Sequence, residues 1–144
     1  LKMGNALGYD TYSPDKAPLA YDEPLSKYIS LSEMPRRFVG DEIFDFVKKI
    51  DVIWFEDEVP KYAFEIENST GLRSGFQRLI QLHPLGAKLY IVARDSDLPT
   101  YEQILNVEPY YRHKDSFRFC SYKKLEKFFV EVDRLEATKR AFLE

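Results

Sequence analysis

Ile50-Asp51-Val52-Ile53-Trp54-Phe55 and, beyond the acidic turn Glu56-Asp57-Glu58-Val59-Pro60, Lys61-Tyr62-Ala63-Phe64-Glu65-Ile66-Glu67 decide how this chain folds. The first run is apolar on both faces and β-rich, as a central strand is. The second alternates, with Tyr62, Phe64 and Ile66 pointing one way and Ala63, Glu65 and Glu67 the other. Together they predict a hairpin. Glu65 and Glu67, at i and i+2, share a face among residues that otherwise read as buried. Like charges held close repel, and buried charge is costly unless something positive compensates it. A divalent cation resolves both problems, and Asp51 supplies a third acid at the start of the neighbouring strand.

The hairpin carries a geometric condition. Directly opposite residues of an antiparallel pair lie on the same face. Asp51 therefore joins Glu65 and Glu67 only if the numbers of paired residues sum to an even value. A register pairing Phe55 with Tyr62 puts Asp51 on the wrong face unless a bulge intervenes. The competing reading is a solvated sheet face for Glu65 and Glu67, with Asp51 merely opening a strand. Pattern alone leaves both open.

Working outward, Asp41 is placed to cap a helix with Ile43, Phe46, Val47 and Ile50 on its apolar stripe. After the hairpin, Ser69 or Thr70 is placed to cap a helix burying Leu72, Phe76, Leu79 and Ile80. Arg73, Gln77 and Gln81 form a second stripe on that helix, which His83-Pro84-Leu85-Gly86 ends. A strand over 88–93, a helix over 101–107 and a strand over 117–120 follow. Ser121 then caps a last helix with Leu125, Phe128, Phe129, Val132 and Leu135 inward. A short strand lies within 8–12, and 13–37, with Pro14, Pro18, Pro24 and Pro35, is irregular, either functional or a plain connection. This order predicts an α/β domain: a central mixed β-sheet, flanked by helices, with the acidic hairpin carrying the site.

With 144 residues, 44% of them hydrophobic, and ten Tyr and eleven Phe, the chain supports one core and one domain over 1–144. The net charge of −3 gives no global basic field. Phosphate contacts then depend on small clusters such as Arg36-Arg37, Lys48-Lys49 and Arg112-His113-Lys114, each also explicable as plain surface charge. The single Cys120 excludes an internal disulfide and fits a reducing cytoplasm. No apolar run reaches membrane-spanning length, so no membrane partner is expected. Only His83 and His113 are present, which argues against a zinc hydrolase. No phosphate-binding glycine loop and no G-x-S-x-G elbow occurs. The opening Leu1-Lys2-Met3-Gly4-Asn5-Ala6-Leu7-Gly8 looks like a helix end stopped by glycine. The expectation is a piece of a longer protein, whose other domains are partners.

Ile50-Asp51, the hairpin and Glu65-Ile66-Glu67 ahead of a helix resemble the PD-(D/E)XK nuclease superfamily, which includes many restriction endonucleases. Gly4 to Asp10, Ile50 to Phe55, Ala63 to Thr70, Ser74 to Leu79 and Leu89 to Ala93 also resemble a bacterial group of predicted restriction-type endonucleases. The resemblance spans most of the chain. It implies a restriction-endonuclease-like core and magnesium-dependent hydrolysis of DNA, with Mn²⁺ as a substitute ion, in a restriction or defence system. It implies Asp51 and Glu65 as metal ligands, joined by the backbone carbonyl of Ile66. The third motif position, usually Lys, is Glu67 here, with the role of orienting or deprotonating the attacking water. The catalytic set expected is Asp51, Glu65, Glu67 and Gln77. Ser69, Thr70, Arg73 and Arg78 are candidate DNA contacts, with ordinary helix capping the preferred reading for Ser69 and Thr70. A second copy of the chain is a further candidate partner. The rival expectation is a nuclease fold without catalysis that binds DNA or protein, and cleavage of RNA or branched DNA is a third. Removing Asp51 or Glu65 is expected to abolish cleavage, spare the fold and relieve repulsion.

Overall fold

The turn that closes the central hairpin is made by Asp57 and Glu58, both with positive φ (51° and 63°). Left-handed backbone at both central positions is the geometry of a tight primed hairpin turn, here built without glycine. It joins strand β4 (Val52–Glu56) to β5 (Val59–Ile66). The computed structural model describes residues 1–15, 19–20 and 23–144, so the irregular segment, Pro18 included, lies partly outside the described residues.

Ahead of the hairpin come helix α1 (Lys2–Ala6), strand β1 (Asp10–Tyr12), a two-stranded ribbon of β2 (Leu19–Ala20) and β3 (Glu23–Pro24), and helix α2 (Asp41–Val47). After it come α3 (Leu72–Leu79), β6 (Lys88–Ala93), α4 (Leu98–Leu105), β7 (Phe117–Ser121) and α5 (Tyr122–Leu143). The main sheet has five strands in the order β1-β4-β5-β6-β7. β1, β4 and β5 run antiparallel, whereas β5, β6 and β7 run parallel and are joined through α3 and α4. The protein is thus an α/β domain with a mixed sheet flanked by helices, as the order of elements predicts.

The register meets the parity condition. Val52 pairs with Phe64 and Trp54 with Tyr62, both even sums, before an irregularity shifts Phe55 onto Pro60 near the turn. One step further along the even register sets Asp51 opposite Glu65, on the face of Ile53, Ala63 and Glu67. Ile53, Ala63, Leu89 and Ile91 on that face are fully buried with Val47, Leu72, Phe76 and Leu79 from the helices above. Phe76 anchors this layer, its ring 4.8 Å from that of Phe117 and 5.3 Å from that of Tyr101. Burying one such ring contributes about 2–3 kcal/mol. The opposite face carries a cluster of Tyr9, Trp54, Tyr62, Phe64 and Tyr90, with neighbouring ring centroids 4.7–6.4 Å apart. That face lies against α1 and α5.

Several local expectations are corrected. Gly40, not Asp41, occupies the N-cap of α2, which leaves Asp41 and Glu42 in the first turn, where the helix dipole favours acids. Phe46 of its expected buried stripe is 53% exposed. Neither Ser69 nor Thr70 caps α3. Asn68 shapes the turn instead, its Oδ1 accepting from the backbone N–H groups of Thr70 and Gly71, and Gly71 holds the N-cap. Helix α4 begins at Leu98, with a proline in its first turn, rather than at Tyr101. Ser121 does cap α5, accepting from the Lys124 N–H at 3.2 Å. Of the five residues expected inward on that helix, Val132 alone is buried, while Phe128 and Leu135 are exposed. The helix has 22 residues. Phe128 and Leu135 lie on either side of the buried Val132, so the apolar stripe is only partly covered along its length. Among the described residues no helix is long and apolar enough to cross a membrane.

Candidate functional site

The candidate site forms where β5 ends and α3 begins. Strand alternation aims Glu65 and Glu67 at α3, and two glycines let that helix approach. A Cβ on Gly71 would sit 1.8 Å from Oε2 of Glu67, and one on Gly75 would sit 3.2 Å from Cγ of Glu67 and 3.3 Å from Cβ of Glu65. Glycine at i and i+4 therefore makes a shallow groove on α3 that accommodates both acids. Arg78, one turn beyond Gly75, reaches back over the same surface.

Arg78 binds both glutamates. Its Nε donates to Oε1 of Glu65 at 2.6 Å and its Nη2 donates to Oε2 at 2.8 Å, a two-bond fork. The same Nη2 also donates to Oε1 of Glu67 at 2.8 Å. Glu65 is wholly buried, Glu67 largely so, and the Arg78 side chain keeps 24% of its surface in water. Asp51 sits at the edge of the cluster, where its Oδ2 accepts from the backbone N–H of Ile66 at 2.7 Å. The main chain of Glu67 is pinned as well: its N–H donates to the Val92 carbonyl and its own carbonyl accepts from the Tyr122 hydroxyl.

Three carboxylates thus face one guanidinium, an excess of two negative charges when all are ionised. Burial, opposed by the Arg78 hydrogen bonds and reinforced by the charges of Asp51 and Glu67, pushes Glu65 up to about 8. Glu67 is raised too, by burial first, with Arg78 opposing and Asp51 adding to the rise. The hydrogen bonds that Arg78 donates to Glu65 hold Arg78 in its charged form. The cluster therefore carries more acid than its own cation neutralises.

That imbalance is the test of whether the residues suit a magnesium-type ion. Two carboxylates, a backbone carbonyl and water make a hard oxygen donor set of the kind Mg²⁺ takes. Asp51 and Glu65 supply the carboxylates from one sheet face, and Ile66 lies beside them in the chain. In donor type and charge the residues suit the ion. In arrangement Arg78 stands against Glu65 where the ion's charge is needed, and no three His, Cys, Asp or Glu side chains converge as a metal-holding group among the described residues.

The other expected residues are dispersed. Ser69 and Thr70 are exposed in the β5–α3 turn, Arg73 and Gln77 on the outer side of α3. Gln77 does not reach the carboxylates. The groove side of α3 belongs to Gly71, Gly75 and Arg78, and Gln77 lies about 100° from Arg78 around the helix. Arg78, expected at DNA phosphate, is directed inward at Glu65 and Glu67. Its signal was present in the sequence as glycine, glycine and arginine at i, i+4 and i+7, one helix face beside two acids. Further neighbours come from the irregular segment and from α1: a surface cavity of about 410 Å³ is lined by Ser13, Asp15 and Tyr28 of the segment and Lys2 of α1 together with Asp51 and Ile66. No periodic pattern marks those positions. Neither Glu65 nor Glu67 lines that cavity.

The family model for the type II restriction enzyme NmeDI C-terminal domain matches residues 1–144. No curated protein and no solved structure matches the chain. With the family model spanning its whole length, the chain belongs to the type II restriction enzyme NmeDI C-terminal domain family.

Proposed function

We propose that this chain is the divalent-metal-dependent DNA endonuclease domain of a restriction system, built on a PD-(D/E)XK-type core. The observation that carries the proposal is the placing of a half-buried Asp51 on the same sheet face as the buried Glu65, beside Glu67, with negative charge in excess of Arg78. Catalytic sites are where such charge imbalance is concentrated. The family's description as a type II restriction enzyme domain points to the same substrate class. Its designation as a C-terminal domain makes other domains of the same enzyme the natural partners.

Asp51, Glu65 and the carbonyl of Ile66 are the groups that would hold Mg²⁺, with Mn²⁺ as a substitute. Such an ion supplies charge neutralisation at a scissile phosphate and a more acidic water. The chain's own residues do the rest. The Ile66 N–H orients the Asp51 carboxylate. Glu67 sits at the rim with a carboxyl of raised basicity, suited to orienting or deprotonating the attacking water. Ser69 and Thr70 in the turn before α3, and Arg73 in its first turn, are exposed, which supports a role in phosphate contact.

One observation favours a second reading, a nuclease fold that binds DNA or protein without cutting. Arg78 satisfies Glu65 and Glu67 together, and Glu67 takes the place where lysine is usual. Cleavage separates the two. Supercoiled plasmid and single-stranded DNA are incubated with the intact enzyme and Mg²⁺ or Mn²⁺, beside Asp51→Ala. Ion-dependent nicking or linearisation that the substitution abolishes supports the nuclease. Cleavage unchanged by it, or absent on every substrate, overturns it.

A further inference from the structure

We propose that Arg78 is an exchangeable counter-ion: a divalent cation and the Arg78 guanidinium occupy Glu65 in alternation, and the guanidinium released becomes the group that meets a DNA phosphate. This rests on the metal-site reading above and adds how that site opens.

The geometry makes the two occupants mutually exclusive. Arg78 engages both oxygens of Glu65 through two N–H groups, and Glu65 has no surface in contact with water. An ion on the same carboxylate would lie beside a guanidinium in a low-dielectric site, where like charges repel strongly. The charge balance favours the exchange. With all three carboxyls ionised, one guanidinium leaves two charges uncompensated, whereas a divalent ion neutralises a further unit and relieves the repulsion between Asp51 and Glu65.

The route out belongs to Arg78 alone. Its side chain keeps 24% of its surface in water, and Glu65 keeps none. The glycine groove fixes α3 against β5, so Arg78 reaches the carboxylates by folding its flexible stem back from the helix. Rotation of that stem turns the guanidinium to solvent without shifting the helix. Two positive groups then serve one site: the ion on the carboxylates and the guanidinium on the phosphate, whose two-pronged donor geometry matches an anion's oxygens.

Two measurements on the whole domain test the exchange. In ¹⁵N-labelled protein the Arg78 Nε–H, identified by its loss in Arg78→Lys, gives a resonance protected from solvent exchange by Glu65. Titration with Mg²⁺ or Ca²⁺ is expected to shift that resonance and remove its protection, with the midpoint of ion binding measured by calorimetry. In parallel, Arg78→Met is expected to bind Mn²⁺ roughly tenfold more tightly than the wild type, because one competing charge-assisted contact is gone. Should Arg78→Met fail to fold, the wild-type resonance decides. Ion binding with the Arg78 resonance unmoved and affinity unchanged in Arg78→Met overturns the exchange and leaves the metal site standing. No ion binding by either protein overturns both.

Discussion

Arg78 and Glu65 are joined by two hydrogen bonds of 2.6 and 2.8 Å across the gap between α3 and β5, with Glu65 out of contact with water. Removing one partner of such a pair strands the other. Arg78→Met is expected to destabilise the metal-free domain by about 3 kcal/mol near pH 8, the low end for a broken buried pair because Arg78 is partly solvated. At lower pH the loss shrinks, since a stranded Glu65 can take up a proton. Urea unfolding at two pH values checks both statements.

Asp51→Asn is expected to act in the opposite direction. The amide oxygen can still accept from the Ile66 N–H, while the charge that presses on Glu65 and Glu67 disappears. The metal-free domain gains about 1 kcal/mol in the same unfolding experiment, and the carboxyl of Glu65 moves back towards its ordinary value. Glu65→Ala, by contrast, deprives Arg78 of its main partner and empties a buried site, so it destabilises. Read from sequence alone, both substitutions carry the same expectation; the ion pair with Arg78 separates them.

The pH dependence follows from Glu65, which burial pushes from its ordinary value of 4.5 up to about 8. Between those values the folded state holds a proton that the unfolded chain has released. Glu65 therefore contributes stability that is full below about pH 4.5 and is lost as pH rises through about 8. Glu67 shifts in the same direction. Because Glu23, Asp45 and Glu108 shift the other way, the comparison is with Glu65→Gln. The stability of the wild type relative to this variant should fall as pH is raised from about 5 to about 8. A flat or rising difference contradicts the assignment.

The two glycines of α3 separate site from scaffold. Gly71 has φ −90°, which any residue adopts, and a Cβ there meets only the mobile end of Glu67. Gly71→Ala is therefore expected to cost little stability while pushing the Glu67 carboxylate off Arg78. Gly75→Ala brings a Cβ to 3.1 Å from Cδ1 of Ile91, a core atom. That overpacking costs about 1–3 kcal/mol, less the roughly 1 kcal/mol by which alanine favours a helix over glycine. Unfolding curves for the pair, with the carboxylate resonances of Glu67, test both.

Much of the framework was legible because it rests on periodicity. Alternation over 61–67 fixed which way Glu65 and Glu67 point, and the parity condition tied Asp51 to them through the register. The apolar stripe of α3 and the Ser121 cap were equally plain. What stayed hidden depends on contacts between elements distant in sequence. Arg78 looked like one more surface cation until α3 was laid over β5. Ser13 and Asp15, which line the same cavity as Asp51, come from a segment without a repeating pattern. The apolar stripe of α5 predicts burial, but Phe128 and Leu135 are exposed on either side of the buried Val132, because a stripe does not state which of its positions a neighbouring element covers. Gln77 shared a stripe with Arg73, and that stripe faces away from the site.

Calcium-dependent thermal unfolding tests the central claim, a divalent-cation site at Asp51 and Glu65, most directly. An ion that binds the folded state alone raises its stability with the logarithm of ion concentration above the dissociation constant. The wild-type domain is expected to unfold at progressively higher temperature as Ca²⁺ is added, and Glu65→Gln to show no such rise. A wild-type midpoint that does not move, or one that rises equally in Glu65→Gln, would contradict the site.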